Sequence, residues 1–291
     1  MSWQLTLAML AVVNSSALIL NKVISDKLPK KKSQGVFVQF LVAAVISTVY
    51  FSFSDKGNLF PVVFWIGLVG FFNAFGAWCQ WQALGISLSK SVLFLPLMEV
   101  VTILLAVTFL SEGSLWTWRL ILGAILCFLA MFMFRFASMK AVEEEKKKMA
   151  RKLILYVTGM VLIFGIAGFF LKFFSEDVTR GTFLISWYIG AFLATPLMLF
   201  KERVNPGKLP RETLLACSLL GAVILGSLFL LYWTYQLGGP VSMVSPTKGI
   251  AILFIPAVVG WLIFGEKGKL SKLESLAFIP GIAGALLILI K

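Results

Sequence analysis

The 291-residue sequence predicts an all-α integral membrane protein with ten transmembrane helices arranged as two five-helix inverted repeats, and three observations carry that expectation. The first is composition. Hydrophobic residues make up 59% and charged residues 13%, with a mean hydropathy of +0.95, whereas an ordinary soluble domain is about 45–50% apolar and about 25% charged. A water-soluble core could not hide that much apolar surface, so the lipid bilayer is the first expected partner. The second is the recurrence of apolar runs of about 20 residues, the length that crosses a bilayer. The third is an internal echo: Trp81-Gln82 to Glu112 returns, 154 positions on, as Tyr235-Gln236 to Glu266. About five membrane-length segments separate the copies, and an odd number of crossings inverts the second relative to the first.

In chain order the spans are predicted near 3–25, 36–54, 60–83, 89–111, 115–137, 153–175, 182–200, 213–236, 241–264 and 273–290. The first repeat is residues 1–137, a charged linker covers 138–152, and the second repeat is 153–291. In the linker, Glu143 stands four residues before Lys147 and Glu144 four before Lys148, the spacing of helical ion pairs, so a solvated and partly helical connector is expected. The first span lacks a charged n-region and a small-residue cleavage site, and so reads as a retained helix.

The net charge of +13 would suit a nucleic-acid partner, but its distribution excludes one. Counting Lys90 and Arg135 at their span ends, segments on one side of the predicted membrane hold 19 of the 26 Lys and Arg, while the other side with both termini holds Lys56, Arg119, Arg180 and Lys291. That asymmetry is the positive-inside pattern, expected for a multi-pass protein of the plasma (inner) membrane with its odd-numbered loops in the cytoplasm. Cys79, Cys127 and Cys217 lie in apolar runs without C-x-x-C spacing, and histidine is absent. His-based triads and the usual zinc sites are therefore excluded, no nucleotide-binding glycine motif follows a strand, and no enzyme and no cofactor are expected.

Particular residues then resemble those of a known family. Glu112 in Leu110-Ser111-Glu112-Gly113 and Glu266 in Phe264-Gly265-Glu266-Lys267 match the G-E signature that closes two helices in the drug/metabolite transporter superfamily, EamA-like branch. Lys22-Val23-Ile24-Ser25-Asp26 is paralleled by Lys172-Phe173-Phe174-Ser175-Glu176. The resemblance spans essentially the whole chain. It implies ten helices in two inverted repeats, secondary active transport of a small polar metabolite by alternating access, and export of amino acids or related compounds as the leading activity. It also implies cytoplasmic termini, opposite to the lysine distribution. The family's proline thirteen residues before each signature glutamate is replaced here by Glu99 and Leu253, with Pro96 and Pro256 nearby.

Candidate site residues follow from the cost of polarity in a span. A charge at a helix centre costs roughly 2.5 to 3.5 kcal/mol on insertion scales and persists where it faces a cavity or a partner. Glu99 and Lys248 are the deepest. Lining one cavity, they would suit a zwitterion such as an amino acid, with Glu99 also open to coupled protons; alternatively they form a structural ion pair. Lys22 and Lys172 either snorkel to the interface or share a role. Asn14 and Asn73, with Ser15, Ser16 and Gln39, either meet a solute or join helices. Trp78, Trp81 and Gln82 mirror Tyr232, Trp233, Tyr235 and Gln236, and an interfacial aromatic belt is the plainer account. Ser245 opens the polar stretch Ser245-Pro246-Thr247-Lys248-Gly249 inside the ninth span, where Pro246 would free carbonyls to face a cavity, and with its repeat mate Ser91 it is a candidate site residue. The alternative is a simple kink packed by its neighbours. Glu112, Glu266, Pro96, Pro246 and Pro256 are expected in structure or gating. Two further functions stay open: an anion antiporter for phosphorylated metabolites or nucleotide-sugars, using Lys248, Lys22 and Lys172, and a lipid-handling membrane protein with no central polar cavity.

Overall fold

A computed structural model describes residues 2–28, 31–54, 61–109, 117–139, 144–205, 207, 209–239, 241–265 and 272–289; a few side chains within these helices, among them Ser245 and Pro246, are left aside. The described residues form eleven helices: α1 Trp3–Lys27, α2 Lys32–Phe53, α3 Val62–Ile86, α4 Leu88–Leu93, α5 Pro96–Phe109, α6 Trp118–Met139, α7 Glu144–Ser175, α8 Arg180–Glu202, α9 Arg211–Gln236, α10 Val241–Leu262 and α11 Lys272–Leu289. Counting α4 and α5 as one stretch, seven are long and apolar enough to cross a membrane: α1, α2, α3, α4–α5, α7, α8 and α9. The arrangement is consistent with an all-α, multi-pass membrane protein.

Two boundaries differ from the sequence expectation. The fourth segment, expected as one span over 89–111, is broken at Phe94 and Leu95. Pro96 is the cause. It has no N–H to continue the ladder, and its ring disfavours helical geometry at the preceding residue, so the chain tightens and a new helix starts with proline in its first position. The carbonyl of Val92, which a continuous helix would pair with residue 96, instead accepts from Leu95 N at 3.2 Å. The second difference lies at the linker, where α7 begins at Glu144 and carries the charged stretch straight into the apolar helix. By contrast α10 runs unbroken through Pro246 and Pro256.

Packing is set by a few faces. The neighbouring pairs are α3 with α8 and α7, α1 with α9 and α10, α2 with α8 and α9, α5 with α7, α4 with α10, and α6 with α11. One apolar cluster gathers around α1, α2, α3, α8 and α9. A second joins α4, α5, α6, α7, α10 and α11. Large apolar side chains also cover the outside, Phe53, Phe72, Phe128, Leu155 and Phe200 among them. A surface of that kind fits hydrocarbon and not water.

The aromatic sets correct the belt expectation. Trp81 and Tyr232 are fully buried and Tyr235 nearly so. Their polar atoms are used inside the bundle: Trp81 Nε1 donates to Gln39 Oε1 at 2.8 Å, and the Tyr232 hydroxyl reaches the carbonyls of Phe174 and Val178, each at 2.8 Å. Rings that find a buried partner need no headgroup.

The crossing of α3 and α8 is tight on both sides. A Cβ on Gly70 would strike the Trp187 carbonyl, and one on Gly190 would strike the Gly67 carbonyl. Gly190→Val should therefore cost about 1–3 kcal/mol or more by overpacking, read as a fall in the melting temperature of the detergent-solubilised protein. Gly226 has open space around its missing Cβ, so Gly226→Ala should leave that temperature unchanged or raise it.

Candidate functional site

A central cavity of about 180 Å³ lies between the helices, and each wall presents one helical face. From α1 come Asn14, Ala17, Leu18 and Asn21; from α3 come Asn73, Ala77 and Gln80. Both sets follow the i, i+4, i+7 spacing that puts side chains on one stripe. Gln39 enters from α2, Trp187 and Tyr188 from α8, Ser227 from α9 and Lys248 from α10. A cavity of that volume is on the scale of a small organic molecule.

Glu99 and Lys248 meet. Lys248 Nζ lies 2.9 Å from Glu99 Oε1, and the two side chains are 9% and 2% exposed. The contact is electrostatic rather than a well-aligned hydrogen bond, since Oε1 has no hydrogen bond of regular geometry among the described residues. The break at Pro96 places Glu99 in the first turn of α5. The N–H groups of Leu97 and Met98 are already bonded to the carbonyls of Phe94 and Leu95, so the carboxylate is tolerated here chiefly through Lys248. Of the pair, Lys248 borders the cavity.

A second polar cluster sits at the basic end. Glu202, the last residue of α8, accepts from Ser33 N at 3.1 Å, Ser33 Oγ at 2.7 Å, Trp78 Nε1 at 2.9 Å and Gln82 Nε2 at 3.0 Å. A carboxylate at a helix C-terminus opposes the helix dipole, and four donors from α2 and α3 offset that cost. Beside it, Lys201 lies over the Trp78 ring at 4.6 Å and Lys32 donates to the Gln82 carbonyl at 3.4 Å. The opposite end holds Arg180 over Trp233, 4.9 Å from the ring centre.

The expected site residues thus divide. Lys248, Asn14 and Asn73 border the cavity, with Glu99 directly behind Lys248. Trp78 and Gln82 belong to the Glu202 cluster. Ser91 is buried and donates to the Ser87 carbonyl at 2.6 Å within its own turn. Gln236 is exposed and donates to the Val178 carbonyl at 3.0 Å, while Tyr235 packs in the core beneath Lys172, whose Nζ is 6.0 Å from its ring centre. Lys22 and Lys172 each bind the acid four residues on, Asp26 at 2.9 Å and Glu176 at 2.8 Å. Lys22 is buried and its ammonium extends toward the end of α1, to the half-exposed Asp26. Pro256 is buried within α10; Glu112 and Glu266 lie outside the described residues, as do the side chains of Ser245 and Pro246.

Asn21, Gln80, Tyr188, Ser227 and Glu202 are functional candidates that the sequence reading passed over. The signal for two of them was present: Asn14 and Asn21, like Asn73 and Gln80, are seven residues apart on one stripe. Among the described residues no group of three or more Cys, Asp and Glu converges in a way that could hold a metal.

No family model matches the chain, and no curated protein sequence matches it. Its fold is shared. A solved crystal structure of a protein 14% identical in sequence superposes with a TM-score of 0.57 over 97% of this chain and 98% of its own. At that identity the likeness concerns the fold alone.

Removing one partner of a buried ion pair strands the other charge. Glu99→Leu is expected to cost about 3–5 kcal/mol, and the double variant Glu99→Leu with Lys248→Met much less than the sum of the singles. Thermal unfolding of the four proteins in detergent measures the coupling.

Proposed function

We propose that this protein is a secondary active transporter of a small polar metabolite, with amino acids the leading class, working by alternating access around the central cavity. The observation that carries the reading is the cavity itself: a chamber walled largely by apolar side chains into which Asn14, Asn21, Asn73, Gln39 and Gln80 bring five carboxamides inside a bundle of apolar helices. A lipid-handling protein has no use for five carboxamides at that position.

The helix packing supports two inverted five-helix repeats. Exchange of the halves pairs α1 with α7, α2 with α8, α3 with α9, α4–α5 with α10, and α6 with α11. Under that exchange α3–α8 becomes α9–α2, α1–α9 becomes α7–α3, and α5–α7 becomes α10–α1, all of which pack. The contacts α2–α8, α4–α10 and α6–α11 map onto themselves, as contacts on a pseudo-twofold axis do. This accounts for ten crossings, with α4 and α5 as two parts of one. The matched Lys22–Asp26 and Lys172–Glu176 pairs fit the same exchange. The internal repeat and the motifs at Glu112 and Glu266 are the sequence features that favour kinship with the EamA-like drug/metabolite transporters on this reading.

In the proposed cycle the Glu202 cluster locks the ends of α2, α3 and α8 together on the basic side, which the lysine distribution makes cytoplasmic in a plasma-membrane setting. A zwitterionic solute offers its carboxylate to Lys248 and frees Glu99 to take the amine or a proton. Release on either side requires the bundles to rock, and the break between α4 and α5 is the flexible joint nearest the charges. The anion-antiporter alternative is disfavoured because Lys22, Lys172 and Lys248 each face a carboxylate of this chain, so none brings uncompensated positive charge to the cavity.

Purified protein in proteoliposomes is expected to move radiolabelled neutral amino acids and not sugar phosphates. Glu99→Gln, compared per amount of folded protein, should reduce amino-acid flux at least tenfold. Sugar-phosphate flux, or undiminished flux by that variant, contradicts the reading.

A further inference from the structure

On the proposed repeat, the two halves line the cavity with the same positions and unlike chemistry. The register that pairs Lys22 and Asp26 with Lys172 and Glu176 also pairs Asn14 with Phe164 and Asn21 with Leu171. All four border the cavity, as do the residues between them at matching places, Ala17 and Leu18 in α1 and Ala167 and Gly168 in α7. Each helix therefore turns one i, i+3, i+4, i+7 stripe to the chamber. The register that pairs Gln82 with Gln236 likewise pairs Asn73 with Ser227 and Ala77 with Leu231, and these border it too. Where α1 and α3 offer carboxamides, α7 and α9 offer a phenyl ring, leucines and one small hydroxyl.

The packing sets these chemistries on opposite sides. The helices α1, α3, α7 and α9 form a ring in which α1 packs on α3, α3 on α7, α7 on α9 and α9 on α1. In that order α1 stands across from α7 and α3 across from α9. One wall carries Asn14, Asn73 and Gln80, and it continues into α10, which packs on α1 and brings Lys248 with its partner Glu99 at 2.9 Å. The facing wall carries Phe164, Ile224, Leu228 and Leu231. Asn21 and Leu171 are buried behind their walls, whereas Asn14, Asn73 and Gln80 on one side and Phe164, Ile224, Leu228 and Leu231 on the other keep part of their surface accessible. Lys248 is the single cation among the described lining residues and Glu99 neutralises it.

A solute matched to such a chamber has one polar end without net charge and one hydrocarbon end. A hydrophilic side chain set against α7 and α9 would lose its hydrogen bonds to water and gain none. From these observations we infer that the solute is an amino acid with a large apolar side chain. Its ammonium and carboxylate lie on the wall of α1, α3 and α10, and its side chain lies against α7 and α9, where Phe164 and Leu228 determine specificity. The inference rests on the transport reading for its biological meaning and narrows the amino-acid class named there, while the recognition is measured as binding alone.

The test is ligand-induced thermal stabilisation and isothermal titration of the full chain in detergent, with L-leucine, L-asparagine, L-alanine and isocaproate as probes. L-leucine and L-asparagine share a zwitterion and have side chains of nearly the same shape, one apolar and one a carboxamide. Isocaproate keeps the hydrocarbon and carboxylate of leucine and lacks its amine. Since one methylene in an apolar pocket is worth about tenfold or more, L-leucine is expected to bind at least tenfold more tightly than each of the others. Leu228→Asn puts a carboxamide on the apolar wall, and Phe164→Asn copies Asn14 onto it; each should lower the preference for L-leucine over L-asparagine at least tenfold. The ligand-free melting temperature shows which variants are folded, and Leu228→Ala, which keeps the wall apolar, should weaken L-leucine binding with the order of probes unchanged. Binding of L-asparagine or isocaproate as tight as that of L-leucine, an unchanged preference in folded Leu228→Asn, or no binding of any probe overturns the inference. Flux of L-serine or L-asparagine in proteoliposomes without flux of L-leucine also overturns it and leaves the transport reading standing. Selective L-leucine binding with no flux of any solute defeats the transport reading and leaves the recognition intact.

Discussion

The ion pair between Glu99 and Lys248 is the constraint on which the rest of the interior depends. Two charges held in the middle of an apolar bundle are stable only if each answers the other, and the 2.9 Å contact between α5 and α10 fixes where those helices meet. That requirement reaches back into the backbone. Pro96 ends α4 and restarts the chain as α5, so that Glu99 lies in the first turn of the new helix, opposite Lys248. It also reaches forward into the cavity, because a neutralised Lys248 leaves the described lining without net charge.

The frame around the pair is symmetric in its packing, while the groups that matter for chemistry are not. Lys22 and Lys172 repeat one another with their acids, and the glycine-mediated close approaches occur in both halves, Gly67 and Gly70 against α8 and Gly221 against α2. Glu99 corresponds to Leu253 across the repeat and Lys248 to Phe94. The helix break likewise occurs in one half only, since α10 continues through its two prolines. On the proposed transport reading, exchange between two states of opposite access gains from a common scaffold. A solute with distinct ends needs unlike groups within it.

Much of this was legible in the sequence for a physical reason. Bilayer-length apolar runs give helix positions because hydrocarbon admits few other structures, and buried charges stand out because they are costly, so Glu99 and Lys248 were visible before their contact was. The aromatic sets were read at the wrong depth. A tryptophan near a span end suits an interface and a core equally, and only the partner decides: Gln39 for Trp81, Glu202 for Trp78. Glu202 was invisible since an acid at a helix end in a lysine-rich loop reads as solvated, and its donors Ser33 and Trp78 are 169 and 124 residues away in the chain. Asn21 and Gln80 were overlooked although their seven-residue spacing from Asn14 and Asn73 marked one stripe.

The central claim is that the carboxamide chamber is reached by water and solute from each side of the membrane in turn. Cysteine accessibility tests it most directly, with Asn73→Cys in a chain whose Cys79, Cys127 and Cys217 are replaced by alanine or serine, reconstituted in sealed vesicles. A membrane-impermeant thiol reagent should label position 73 when applied from either face, and a transported neutral amino acid should slow both reactions. Absence of labelling from both faces, or labelling from one face unchanged by any solute, would contradict alternating access through this cavity.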